Sequence, residues 1–239
     1  MACFILVHGA WHNGELMEPV AKSIRKAGHE VHLPTLQGNG PSDDKFVGLS
    51  DVIKSLENYI QQKKLSDFIL VGHSYGGMVI TGIADLMPKR IRRLVYWNAF
   101  VPNAGESLLD MTPPHYKELF DSILQPDGSV ALPYELWREA FINDVSSEVA
   151  EKYYDQLNAH PYKTFVDKSS TTSNPSEMAI GKSYINATED TALPQSLGWH
   201  PRLSEKLGTF RLVQLSGSHE VCFSNPELLS SKIIEAGRD

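Results

Sequence analysis

The chain has 239 residues, 41% of them hydrophobic, enough to bury a sizeable core as one large domain. Its 22 basic and 29 acidic residues leave a net charge of −7, which argues against nucleic acid or an anionic membrane as partner. Cys3 and Cys222 are its only cysteines, too few for a disulfide framework or a zinc cluster, so no metal site is expected.

Met1 leads straight into the apolar run Cys3–Val7, a strand, with no basic start or cleavage site of the secretory kind. No apolar run approaches the ~18 residues of a membrane span, and a cytoplasmic location is expected. Leu16–Arg25 reads as a helix, with Met17, Val20, Ala21 and Ile24 at helical spacing, closed by Gly28. Then come His29–Leu33 as strand, Leu49–Gln62 as amphipathic helix, and Phe68–Val71 as strand. Met78–Met87 follows as helix and Arg93–Trp97 as strand. Such alternation predicts an α/β fold with a mostly parallel sheet covered by helices.

From about Pro102 to about Lys182 the alternation stops. Prolines punctuate aromatic-rich segments such as Tyr134–Phe141 and Tyr153–Tyr162 into short helices, with no clear strand. Residues 102–182 are therefore expected to form an inserted helical cap within a single domain spanning 1–239. Ser183–Asn186 and Phe210–Leu215 resume the strands, and Pro226–Ala236 is the last helix.

Chemistry concentrates at Gly72-His73-Ser74-Tyr75-Gly76-Gly77, a G-x-S-x-G turn between a strand and a helix. In that context the turn is a nucleophile elbow. The small residues allow a strained bend that lifts the Ser74 hydroxyl above the sheet's carboxyl edge, at a helix N-terminus. A serine needs a base, and His219 follows a late strand in Ser216-Gly217-Ser218-His219, last in chain order. His29, His32, His115, His160 and His200 lack that strand-end setting. The base needs a carboxylate, and Asp190 lies after the strand Ser183–Asn186, with Glu189 as competitor. An earlier position for this acid, after Arg93–Trp97, reads Asn98-Ala99-Phe100 and offers no carboxylate. The amides of Tyr75 and Ala10 are the expected oxyanion donors, with His8 as a brace of the loop. Trp11, His12, Trp137 and Phe141 are candidates for the pocket wall.

These motifs resemble the methylesterase and hydroxynitrile-lyase branch of the α/β-hydrolases over most of the chain. The likeness rests on His8-Gly9-Ala10-Trp11-His12, Ala27-Gly28-His29, Gly72-His73-Ser74-Tyr75-Gly76-Gly77, Thr188-Glu189-Asp190 with Pro194, and Ser218-His219 with Ser224-Asn225-Pro226-Glu227-Leu228. It implies a Ser74–His219–Asp190 triad, oxyanion roles for Ala10 and Tyr75, a helical cap over a mainly apolar pocket, and no cofactor. The lyases of the branch carry threonine in the oxyanion loop and lysine after the catalytic histidine; here stand Ala10 and Glu220. A glutamate there opposes a departing cyanide, which favours cleavage of a small, largely apolar or aromatic carboxylic ester. A carbon–carbon lyase, a cofactor-free oxygenase and a ligand receptor are the alternatives on the same fold.

Overall fold

The computed structural model describes residues 1–239. Six parallel strands form one sheet in the order β2-β1-β3-β4-β7-β8. They are β1 (Cys3–Val7), β2 (Glu30–His32), β3 (Phe68–His73), β4 (Ile91–Trp97), β7 (Gly181–Ala187) and β8 (Arg211–Leu215). The central strand β3 is buried at every residue, as expected of a parallel strand with both faces covered. Four long helices do the covering. α1 (Glu18–Lys26) packs beside α9 (Pro226–Ala236), and α2 (Leu49–Gln62) beside α3 (Gly76–Leu86). The inward stripe of α2 is Val52, Ile53, Leu56 and Ile60, at the spacing read from the sequence. No helix is long and apolar enough to cross a membrane.

Between β4 and β7 the chain departs from this alternation. It forms α4 (Pro114–Ile123), α5 (Tyr134–Leu136) continued by a wide turn over Trp137–Phe141, α6 (Ser147–Tyr154) and α7 (Lys163–Val166). It also contains a strand pair that the sequence did not announce: β5 (Ser129–Val130) runs antiparallel to β6 (His160–Pro161). Two residues per strand are too few for an alternation of period two to register. The last short helix is α8 (Val221–Ser224).

The register fixes where chemistry can occur. Val7 pairs with Gly72, Trp97 with Ile185 and Ala187 with Leu215, so five strands end nearly level. The loops that follow, from His8, Ser74, Asn98, Thr188 and Ser216, therefore meet along one edge. The chain leaves β1 for β2 on one side and returns to β3 on the other. That reversal opens a crevice between the carboxyl ends of β1 and β3, the usual ligand position in such sheets.

Candidate active site

Ser74 stands at the tip of the β3–α3 turn with φ +51°, in the left-handed region that costs a non-glycine residue about 1–2 kcal/mol. Its backbone is bound on both sides: the Ser74 amide donates to Trp97 O at 3.2 Å, and its carbonyl accepts from Phe100 N at 3.1 Å. The bend works only with small neighbours. A Cβ on Gly72 would lie 2.8 Å from Gly76 O, and one on Gly76 would lie 2.8 Å from Val7 O. α3 starts at Gly76, two residues before the sequence reading, because those glycines already form its first turn.

Two loops away, His219 Nδ1–H donates to Asp190 Oδ2 at 2.6 Å, with both side chains buried. A carboxylate only accepts, so this contact places the proton on Nδ1 and leaves Nε2 as the basic nitrogen. Trp199 stacks on the imidazole (5.1 Å, 19°) and Phe141 meets it edge-on (5.1 Å, 86°). Glu189, the competing carboxylate, is exposed and bonds Ser216 instead. Asn98, where the sequence offered no carboxylate, bonds Asp190 instead. Its Nδ2 donates to Asp190 Oδ2, and its Oδ1 accepts from Ala187 N at 2.6 Å.

Ser74 and His219 open onto one cavity, together with Ala10 and Tyr75. It is a narrow slot: about 380 Å3 is free of atoms, but the centre of a water molecule reaches only about 30 Å3 of it. Trp11, Phe100, Tyr116, Phe120, Phe141 and Trp199 form much of the wall; only Ser74, Thr112 and His219 on it are not hydrophobic. The Ala10 and Tyr75 amides make no hydrogen bond within the protein. Nearly all buried amides are paired, so two unpaired ones beside a serine stand out.

Of the four residues expected on the wall, Trp11 and Phe141 are there and His12 and Trp137 are not. His12 lies beneath the loop, its Nδ1 2.7 Å from Ala10 O, its ring stacked on Phe223 (5.6 Å, 14°). Trp137 is fully buried and its indole N–H donates to Ala150 O at 2.9 Å. Both satisfy polar groups behind the wall, which draws them inward. His160, set aside in the sequence, is a buried hub: its Nδ1 lies 2.8 Å from Asn39 Oδ1 and 3.4 Å from the Trp11 amide nitrogen, and its Nε2 lies 2.9 Å from Thr164 Oγ1. No local pattern marked it, nor Asn98 and Trp199; each contact spans far-apart segments.

The surrounding histidines divide by environment. His8 is wholly buried, donates from Nδ1 to Gly9 O at 2.8 Å and accepts from Leu36 N at 3.1 Å, so a second ring proton has no acceptor. Burial lowers its pKa to about 4, against a partial lift from the Gly9 carbonyl. Burial likewise holds His73 and His160 well below the usual range. The folded state thus refuses protons that the unfolded chain takes up below about pH 6.5. Stability should fall as pH drops from about 6.5 toward 4, by about 3 kcal/mol for His8 alone. Urea unfolding at pH 7, 6 and 5 measures this; an unfolding free energy flat across that range would contradict it.

Residues 4–231 match the alpha/beta hydrolase family. The chain belongs to that family. A solved structure similar over 100% of both chains, with 35% identity and a TM-score of 0.96, is an extracellular α/β-hydrolase from a Paenibacillus species, described as sharing structural and functional homology with tobacco salicylic acid binding protein 2. A carbendazim-hydrolysing esterase from a Nocardioides strain is 49% identical over 116 residues, a match that spans 47% of this chain and 48% of that relative. Methylesterase 2 of Arabidopsis thaliana is 24% identical over 97% of this chain and 94% of its own length. These similarities place the chain in the branch of methylesterases and hydroxynitrile lyases. The protein is an enzyme of the α/β-hydrolase class with esterase relatives.

Proposed function

We propose that the protein is a serine esterase that cleaves small, largely apolar or aromatic carboxylic esters through an acyl-enzyme. The observation that carries this is the pair of unbonded amides, Ala10 and Tyr75, beside a strained Ser74 and a His219 oriented by Asp190. His219 Nε2 takes the Ser74 proton as Oγ attacks the ester carbonyl. The oxyanion that forms accepts from the two amides, which cost no reorganisation at that moment. His219 then protonates the departing alcohol, and water repeats the sequence to release the acid.

The wall supports an apolar acyl group, since no charged side chain lines the cavity. Residues 102–182 act in this reading as a cap, supplying Leu108, Thr112, Tyr116, Phe120, Phe141 and Phe165 to the slot. The lyase reading is disfavoured for the same reason: nothing cationic on the wall would receive cyanide.

A series of p-nitrophenyl esters of increasing acyl length, run beside a fluorophosphonate probe, tests the proposal. Turnover is expected for short and aromatic acyl groups, with the probe attached at Ser74 by peptide mapping. Cyanide release from a cyanohydrin or oxygen uptake, with neither ester turnover nor labelling, would overturn it.

A further inference from the structure

The mechanism leaves the buried charge of Glu220 without a role. Glu220 directly follows His219, is 1% exposed and is absent from the cavity wall. Its carboxylate lies 3.1 Å from His12 Nε2. The approach is off the line of a good hydrogen bond, so charge holds the pair. Burial alone would raise the Glu220 carboxyl, but the His12 imidazolium holds it down at about 2. Burial would also strip His12 of its proton; Glu220 and the Ala10 carbonyl reverse that and raise its pKa. The remaining neighbours are His73, kept neutral by burial, and Cys222, whose thiol lies 3.5 Å from the carboxylate and is itself pushed up.

His12 connects this charge to the reaction. Its Nδ1 donates to Ala10 O at 2.7 Å, on the peptide that immediately follows the free Ala10 amide. The other end of the same peptide packs against His160, whose Nδ1 lies 3.4 Å from Trp11 N. Trp11 itself is turned with φ +63°, a strained conformation that the contacts around the loop must hold. A neutral His12 would present a lone pair to the Glu220 carboxylate or withdraw its proton from Ala10. The imidazolium satisfies both partners at once.

We infer that Glu220 is a positioning residue which, through His12, fixes the Ala10 loop so that its amide points at the oxyanion. This rests on the serine-esterase reading. It also shows why a glutamate is tolerated near a developing oxyanion: its charge is already engaged by His12, away from the cavity wall.

The test compares Glu220→Gln with wild type on a matched ester and thionoester, whose sulfur accepts poorly from the oxyanion donors. Glu220→Gln should lower kcat on the ester by roughly ten- to a hundredfold, with KM changed less than about threefold. The oxygen-to-sulfur rate ratio should narrow, because the thionoester loses less. His12→Gln should behave alike, and the double variant should be no worse than either single one. If unpaired His12 prevents Glu220→Gln from folding, the His12→Gln/Glu220→Gln protein carries no charge at this pair and supplies the same ratio. Wild-type kcat, or an equal loss on both substrates with the ratio unchanged, overturns the positioning role. Turnover that survives Ser74→Ala would instead overturn the esterase reading, so the two failures are distinct.

Discussion

Ser74→Ala should lower kcat/KM on a p-nitrophenyl ester by about 10⁵-fold or more, while its melting temperature stays within a few degrees of wild type. The size follows from the nucleophile's place in a cooperating unit: without Oγ the base has no proton to take, and only binding and the two amides act on the ester. Stability should barely move because the strain at position 74 belongs to the backbone. At φ +51° alanine pays the same left-handed penalty as serine, and the bonds to Trp97 and Phe100 are made by main-chain atoms. Ser74→Gly, equally inactive, relieves that penalty and should melt above Ser74→Ala. Steady-state kinetics with thermal melts of the three proteins decide the matter. A purified Ser74→Ala enzyme that kept a hundredth of the wild-type rate would remove Ser74 from the chemistry.

What could be read in the sequence was what depends on neighbours in the chain. β3 is apolar throughout because both faces are covered, and the elbow declares itself because its steric demand falls on Gly72 and Gly76, two residues to either side of Ser74. Asp190 and His219 are candidates because each follows a strand and because the nucleophile elbow sets the expected chain order. What escaped depends on contacts between distant segments. Asn98 reaches Asp190 across 92 residues, and His160 reaches the Trp11 amide across 149. His12 and Trp137 misled because an aromatic near a nucleophile has two destinations, the wall or the layer behind it. Polar partners settled the choice: Ala10 O and Glu220 for His12, Ala150 O for Trp137. Glu220 was legible as a charge next to His219, but not as one already paired.

Asp190→Asn should lower kcat by roughly 10³- to 10⁴-fold, Glu189→Gln should stay near wild type, and Asn98→Ala should fall between them, at about tenfold. Asp190 accepts only: Oδ1 from Ala192 N at 2.8 Å, Oδ2 from His219 Nδ1 at 2.6 Å and from Asn98 Nδ2. An asparagine keeps one acceptor oxygen for two sides of donors. With Ala192 and Asn98 both donating, its amide group is driven against the imidazole or against one of them. When the amide faces His219, Nδ1 becomes the acceptor, the ring proton moves to Nε2, and the nitrogen that should take the Ser74 proton is occupied. Glu189 has no such consequence, being exposed and bonded to Ser216. Removing Asn98 frees the carboxylate to swing without changing its charge. That should blunt the orientation of His219 and leave its tautomer intact. The discriminating measurement is the ratio of the two carboxylate variants under identical assay conditions. Equal losses for Asp190→Asn and Glu189→Gln would show that neither is the acid, and a wild-type rate for Asn98→Ala would show that Ala192 alone suffices to hold it.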